Sequence, residues 1–169
     1  MTTLPFPCPV RLGVMKSEGL EEQLHRYTME KNLTKTEKLL RKGVDVDCIN
    51  HLGQTPLFCA ALLGHGAVSE LLLQYRADPN HRCKDLSTPV HAAVFSGNAR
   101  LLSGLLDSGG DIRLHDQEGR VPVDWFNSST RRATTTTTKA YVQQLSALAL
   151  ERCVWTDPAS HWVCWHLFH

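Results

Sequence analysis

The sequence contains no apolar run approaching the ~20 residues that a membrane-spanning helix requires. Met1 to Lys16 lacks the basic-then-apolar layout of a secretory signal and is broken by Pro5, Pro7 and Pro9. Net charge is nearly absent, +1 over 169 residues, so summed charge suggests neither nucleic acid nor an acidic surface as partner. These absences point to a cytosolic or nuclear, cytoplasmic-type chain whose six cysteines stay reduced.

Catalytic signatures are missing as well. There is no Gly-x-Ser-x-Gly elbow and no paired-carboxylate cluster. Gly64-His65-Gly66 lacks the third glycine of a phosphate loop, because Ser69 stands there. Leu114-His115-Asp116 lacks the arginine and the downstream asparagine of a kinase catalytic loop. Cys8, Cys48, Cys59 and Cys83 show no Cys-x-x-Cys spacing. Cys153, His161, Cys164, His166 and His169 carry zinc-ligand chemistry at a spacing that matches no known ligand pattern. No enzyme, cofactor, metal or small-molecule substrate is expected.

What the sequence has is a period. Pro56, Pro89 and Pro122 stand 33 residues apart. Asp45, Asp78 and Asp111 keep the same step, as do the pairs Leu39-Leu40, Leu72-Leu73 and Leu105-Leu106. A step shared by three unrelated residue types marks a stacked repeat. The segment from Gly53-Gln54-Thr55-Pro56 to Gly64-His65 aligns with Leu86-Ser87-Thr88-Pro89 to Gly97-Asn98. Thr-Pro opens a helix, since the hydroxyl caps free N–H groups and proline at the first turn forfeits no bond. Gly64 and Gly97 close it. A second helix is predicted near 68–75 and 100–107, followed by turns at 76–80 and 108–111. One such unit cannot bury its own apolar face, so neighbours must share theirs.

Thr55-Pro56-Leu57-Phe58, Thr88-Pro89-Val90-His91, Gly64-His65 and Ala77-Asp78-Pro79-Asn80 resemble the landmarks of the ankyrin repeat. The resemblance implies an all-α solenoid of about four helix-turn-helix units, near 18–50, 51–83, 84–116 and 117–152. Its end units are degenerate, and Gln23 takes the place of the first proline. A leader covers 1–17 and a tail of unassigned structure covers 153–169. Lys139 to Arg152 has helical spacing and suits a last capping helix. Thr134 to Thr138 reads as a solvated loop, and Arg131-Arg132-Ala133-Thr134 matches a basic-directed phosphorylation site. His91 and His65 are read as structural, His91 as the residue that bridges backbone groups between units.

Ankyrin stacks bind proteins on a concave face made of loop tips and inner helix faces. Carried over by position, the resemblance places that face at His51, Leu52, Gln54, Leu62 and Leu63 in one unit. Lys84, Asp85, Ser87, Phe95 and Ser96 follow in the next, then Gln117, Glu118 and Arg120. If exposed, Leu62, Leu63 and Phe95 form an apolar patch of the kind that docks a protein. The alternative is that the stack's own loops cover them. A protein partner is expected, with no nucleic acid and no membrane insertion.

Pro7-Cys8-Pro9-Val10-Arg11-Leu12-Gly13, Asp78-Pro79-Asn80-His81-Arg82-Cys83 and Gly109-Gly110-Asp111-Ile112-Arg113-Leu114-His115-Asp116 narrow the resemblance further. They are similar to the ankyrin region opening the testis-expressed inactive protein kinases of germ-cell intercellular bridges. The likeness runs over about residues 5–126. It implies a scaffold linked to cell division and spermatogenesis, at the intercellular bridge, midbody or kinetochore. Members continue into a pseudokinase domain and a Gly-Pro-Pro-x-x-x-Tyr segment that binds a midbody scaffold protein and blocks abscission. Neither occurs here, so the expectation is an isolated ankyrin end, a fragment or short form. A regulatory module acting on the pseudokinase domain is the other reading.

Overall fold

In the computed structural model of the chain, the described residues are 9–13, 19–129 and Ala147, with side chains described as far as Phe126. Contacts divide the chain into 1–132 and 133–169. Of the second part only Ala147 is described, and it is helical. The expected capping helix at 139–152, the threonine loop, the phosphorylation site and the zinc-type tail residues lie otherwise outside the described residues.

Seven helices are described: α1 Leu20–Met29, α2 Leu33–Arg41, α3 Pro56–Leu62, α4 Gly66–Gln74, α5 Pro89–Ser96, α6 Ala99–Asp107 and α7 Pro122–Ser129. No strand occurs among the described residues. Local chemistry starts most of them. The Thr55 hydroxyl accepts from Phe58 N–H at 3.3 Å, Asn32 from Lys35 at 3.1 Å and Asn98 from Leu101 at 3.1 Å. Asp124 accepts from Val121 N–H at 2.9 Å across the start of α7. Gly64 and Gly97, at φ +71° and +69°, end α3 and α5 in the left-handed conformation.

The helices pack in two rows. Inner helices α1, α3, α5 and α7 lie side by side, and outer helices α2, α4 and α6 form the second row. All seven residues of α3 are buried, because α1 and α5 flank it and α4 backs it. In α6, Leu101, Leu102, Leu105 and Leu106 are buried while Ser103 and Asp107 face water, which is the one-sided pattern of an outer helix. Trp125 of α7 is buried against α5, its ring 5.2 Å from His91 and 6.5 Å from Phe95, edge-on to both.

Polar ties repeat with the period. Asp45, Asp78 and Asp111 each accept from the backbone N–H two residues on, at 3.0, 2.8 and 2.8 Å, closing the turn after each outer helix. The residue two positions later reaches the next unit. Asp47 accepts from Asp78 N–H at 3.1 Å, and Asn80 from Asp111 N–H at 2.7 Å. That double duty is the physical reason for the aspartate spacing.

Candidate protein-binding surface

Each unit opens with a finger, the turn between one outer helix and the next inner helix. Three fingers are pinned in series. Lys84 N–H donates to Leu52 C=O at 3.1 Å, and Gln117 N–H donates to Asp85 C=O at 2.8 Å. Within each finger the same closure recurs: Asn50 N–H to Gln54 C=O, Cys83 to Ser87 and Asp116 to Arg120, at 2.9–3.1 Å. Its tip residue is left-handed every time, Gly53 at φ +73°, Leu86 at +60° and Gly119 at +74°. Glycine adopts that conformation freely, whereas leucine incurs ~1–2 kcal/mol of strain.

The structure divides the expected site residues sharply. Lys84, Gln117 and Glu118 are exposed along the finger edge, and His51, Leu52, Leu63, Asp85 and Ser96 are half-buried. Leu62 and Phe95 are core, 2% and 6% exposed. The expected apolar patch does not form around them. Leu62 ends a helix enclosed by its neighbours, and Phe95 packs edge-on against Trp125. Ser87 is fully buried and donates to Asp85 at 2.6 Å.

Gln54 is also a correction, 2% exposed and fully engaged. Its Nε2 donates to Arg11 C=O at 2.7 Å, and its Oε1 accepts from Gly13 N–H at 2.8 Å and from Asn50 Nδ2 at 3.0 Å. The side-chain amide thus imitates a neighbouring strand and holds the leader against the first finger. Any side chain at Gly13 would lie 2.6 Å from Asn50.

Arg120 is half-buried and shared between an inward carboxylate and the exposed Glu118, whose Oε2 lies 3.0 Å from its Nη1. Its Nε meets Asp116 Oδ2 at 2.8 Å, and its guanidinium lies 5.9 Å from the Trp125 ring centre. Trp125 Nε1 donates to the same carboxylate at 2.9 Å. Burial pushes the Asp116 carboxyl up, but the bonds from Trp125 and from the Arg120 backbone and side chain outweigh it and hold the group below 3.8.

The histidines are structural ties. His91 Nε2–H donates to Arg120 C=O at 3.1 Å while Nδ1 accepts from Thr88 N–H at 3.2 Å, which fixes a neutral tautomer. His65 Nδ1–H donates to Thr28 C=O at 3.1 Å, and Asn98, one period on, donates to Gly64 C=O at 3.3 Å. His25 also ties a helix to a finger, with different partners: Nε2–H donates to Cys48 C=O at 3.0 Å and Nδ1 lies 3.9 Å from the Cys59 thiol. It stands two periods before His91, a signal present in the sequence but hidden by the absent proline. Between them Phe58 has no such bond to give, and His81 Nε2–H ties that junction to Gly53 C=O at 2.9 Å.

Two features escaped the sequence reading. Leu86 projects from the middle finger tip, 41% exposed, and Ile49 lies at 53% at the base of the first finger. Among the described residues no cluster of metal-ligating side chains occurs and no helix is long and apolar enough to cross a membrane.

Inner and outer helix rows with pinned fingers define an ankyrin stack, and the family comparison agrees. A family model for ankyrin repeats (3 copies) matches residues 24–116. The chain belongs to the ankyrin-repeat family, a non-catalytic fold that serves as a protein–protein interaction module. It is 57% identical over 122 residues to the inactive serine/threonine-protein kinase TEX14 of Bos taurus, covering 72% of this chain and 8% of that protein. The Mus musculus kinase of the same name is 56% identical over 121 residues, at the same coverage. Cyclin-dependent kinase 4 inhibitor B of Mus musculus is 37% identical over 116 residues, 67% of this chain and 84% of the inhibitor. The chain thus spans 8% of the length of the two kinases.

Proposed function

We propose that this chain is a scaffold module whose partner protein docks along the finger edge and the adjoining concave face. The observation that carries the reading is the series of three backbone-pinned fingers that leaves Lys84, Gln117 and Glu118 in solvent. A rigid edge costs little further ordering when a partner binds. Similarity to the inactive kinases supports a setting in dividing germ cells, at the intercellular bridge or midbody. The test is localisation of the tagged chain in dividing germ cells, wild type against a Lys84→Glu, Gln117→Lys, Glu118→Lys variant. The wild type should concentrate at bridges and the variant should disperse while keeping its helical spectrum. Equal concentration of both would remove the finger edge from the account.

A second reading has its own support. The inhibitor relative is named for a cyclin-dependent kinase, and the two longer relatives are named as inactive kinases. On this reading the finger edge docks onto a kinase-like domain and regulates it. Direct binding to the recombinant kinase-like domain of the bovine relative separates the regulator from the scaffold.

A further inference from the structure

Among the described residues the left-handed backbone recurs in three series at the 33-residue step, and non-glycine residues take it at Lys31, Arg76 and Leu86 alone. Lys31 and Arg76 are exposed, long and charged, so water accommodates their side chains. Leu86 is apolar, and it is both strained and exposed. Glycine, which stands at the equivalent tips 53 and 119, would remove the strain and the exposed apolar surface together. Leucine at this tip therefore keeps exposed apolar surface on a backbone conformation that glycine would adopt without strain.

The surroundings suit an anchor. The middle finger is held from both sides, by Lys84 N–H on Leu52 and by Gln117 N–H on Asp85. Leu86 is thus positioned before any encounter. Gly53 and Gly119 present no side chain on either side of it, while exposed Lys84, Gln117 and Glu118 form a polar rim. An apolar knob within a polar rim is the anatomy of a binding hot spot.

We infer that Leu86 is the anchor residue of the finger edge, inserted as a knob into an apolar pocket on a folded kinase-like partner. This rests on the second reading above, and it adds a direction: the partner supplies the cavity and this chain the projection. Lys84 beside it takes a carboxylate at the pocket's edge.

A consequence of unusual sign follows, because the change that destroys the anchor also relieves the backbone. The experiment measures thermal melting of the full chain and its affinity for the recombinant kinase-like domain of the bovine relative. Leu86→Gly should raise the melting temperature by about 3 °C and weaken binding ~tenfold or more. Leu86→Met keeps an apolar knob and should bind within roughly threefold of wild type. If wild type binds and Leu86→Gly binds equally, the anchor is overturned and kinase docking stands. If wild type fails to bind the domain, docking and anchor fall together. A Leu86→Gly chain that melts lower than wild type overturns the strain argument.

Discussion

Gly104 and Gly110 lie six positions apart in one unit, yet the same substitution should act on them with opposite sign. Gly104 sits inside α6, where the preceding unit has Leu71, and a Cβ built there meets nothing within 4 Å. Alanine should therefore add roughly 0.5–1 kcal/mol by restricting the unfolded chain and favouring the helix. At Gly110 a Cβ would fall 2.8 Å from Leu105 O and 3.0 Å from Val90 Cγ2. Alanine there should lower stability by about 1–3 kcal/mol through overpacking. Urea midpoints of the two variants decide it, and shifts in the same direction would contradict the packing described.

At the scale of elements, units are joined by imidazoles as much as by apolar faces, and imidazoles titrate. Burial holds both His25 and His91 below the ordinary 6.5, against the hydrogen bonds each makes to a carbonyl. Above pH 6.5 both are neutral in the folded and unfolded chain and contribute no pH dependence. Below it the unfolded chain takes up protons that the folded chain refuses, so stability falls until the lowered folded values are passed. Asp116 adds a second loss below 3.8, because its carboxyl is held down in the folded state. Asp47, raised chiefly by burial, acts with the opposite sign and above 3.8: the folded chain takes up its proton first as pH falls, which adds stability before the Asp116 loss begins. Urea midpoints between pH 7.5 and 5 should decline, and a His25→Gln, His91→Gln variant should flatten the slope. An unchanged slope would mean that the imidazoles are solvated.

For the whole stack, the question is where opening begins. Cys48, Cys59 and Cys83 are buried thiols, with Cys48 and Cys83 pushed up to about 12 and Cys59 raised further by complete burial. A thiol held protonated is inert to alkylation. With iodoacetamide at pH 8 all three should stay unlabelled in the native chain and react as units open. The first unit carries the buried hydroxyls of Thr28 and Thr36, which have no hydrogen-bond partner among the described residues. Unsatisfied groups weaken it, so Cys48 should label before Cys83 when labelling is followed by peptide mass spectrometry. Simultaneous labelling would show that the stack opens as one unit.

Pro56, Pro89, Asp45, Asp78 and the leucine pairs made the repeat legible, since every unit faces the same packing problem and solves it with the same residues. Helix starts and glycine stops followed from the same periodicity, and the role of His91 from the resemblance to the ankyrin repeat. Exposure did not. Whether Leu62 and Phe95 are surface or covered stayed open because position within a repeat says nothing about a neighbour such as Trp125, and Gln54 looked like a contact residue because its partner is a leader some forty positions away. Leu86 stood in plain view opposite Gly53 in the alignment, but only the backbone φ of +60° in the fold turned that mismatch into strain. The order of units and their internal geometry are local and periodic, so the sequence determined them by itself. Which side chains remain for a partner depends on what each neighbouring unit covers, and that was decided by tertiary packing alone.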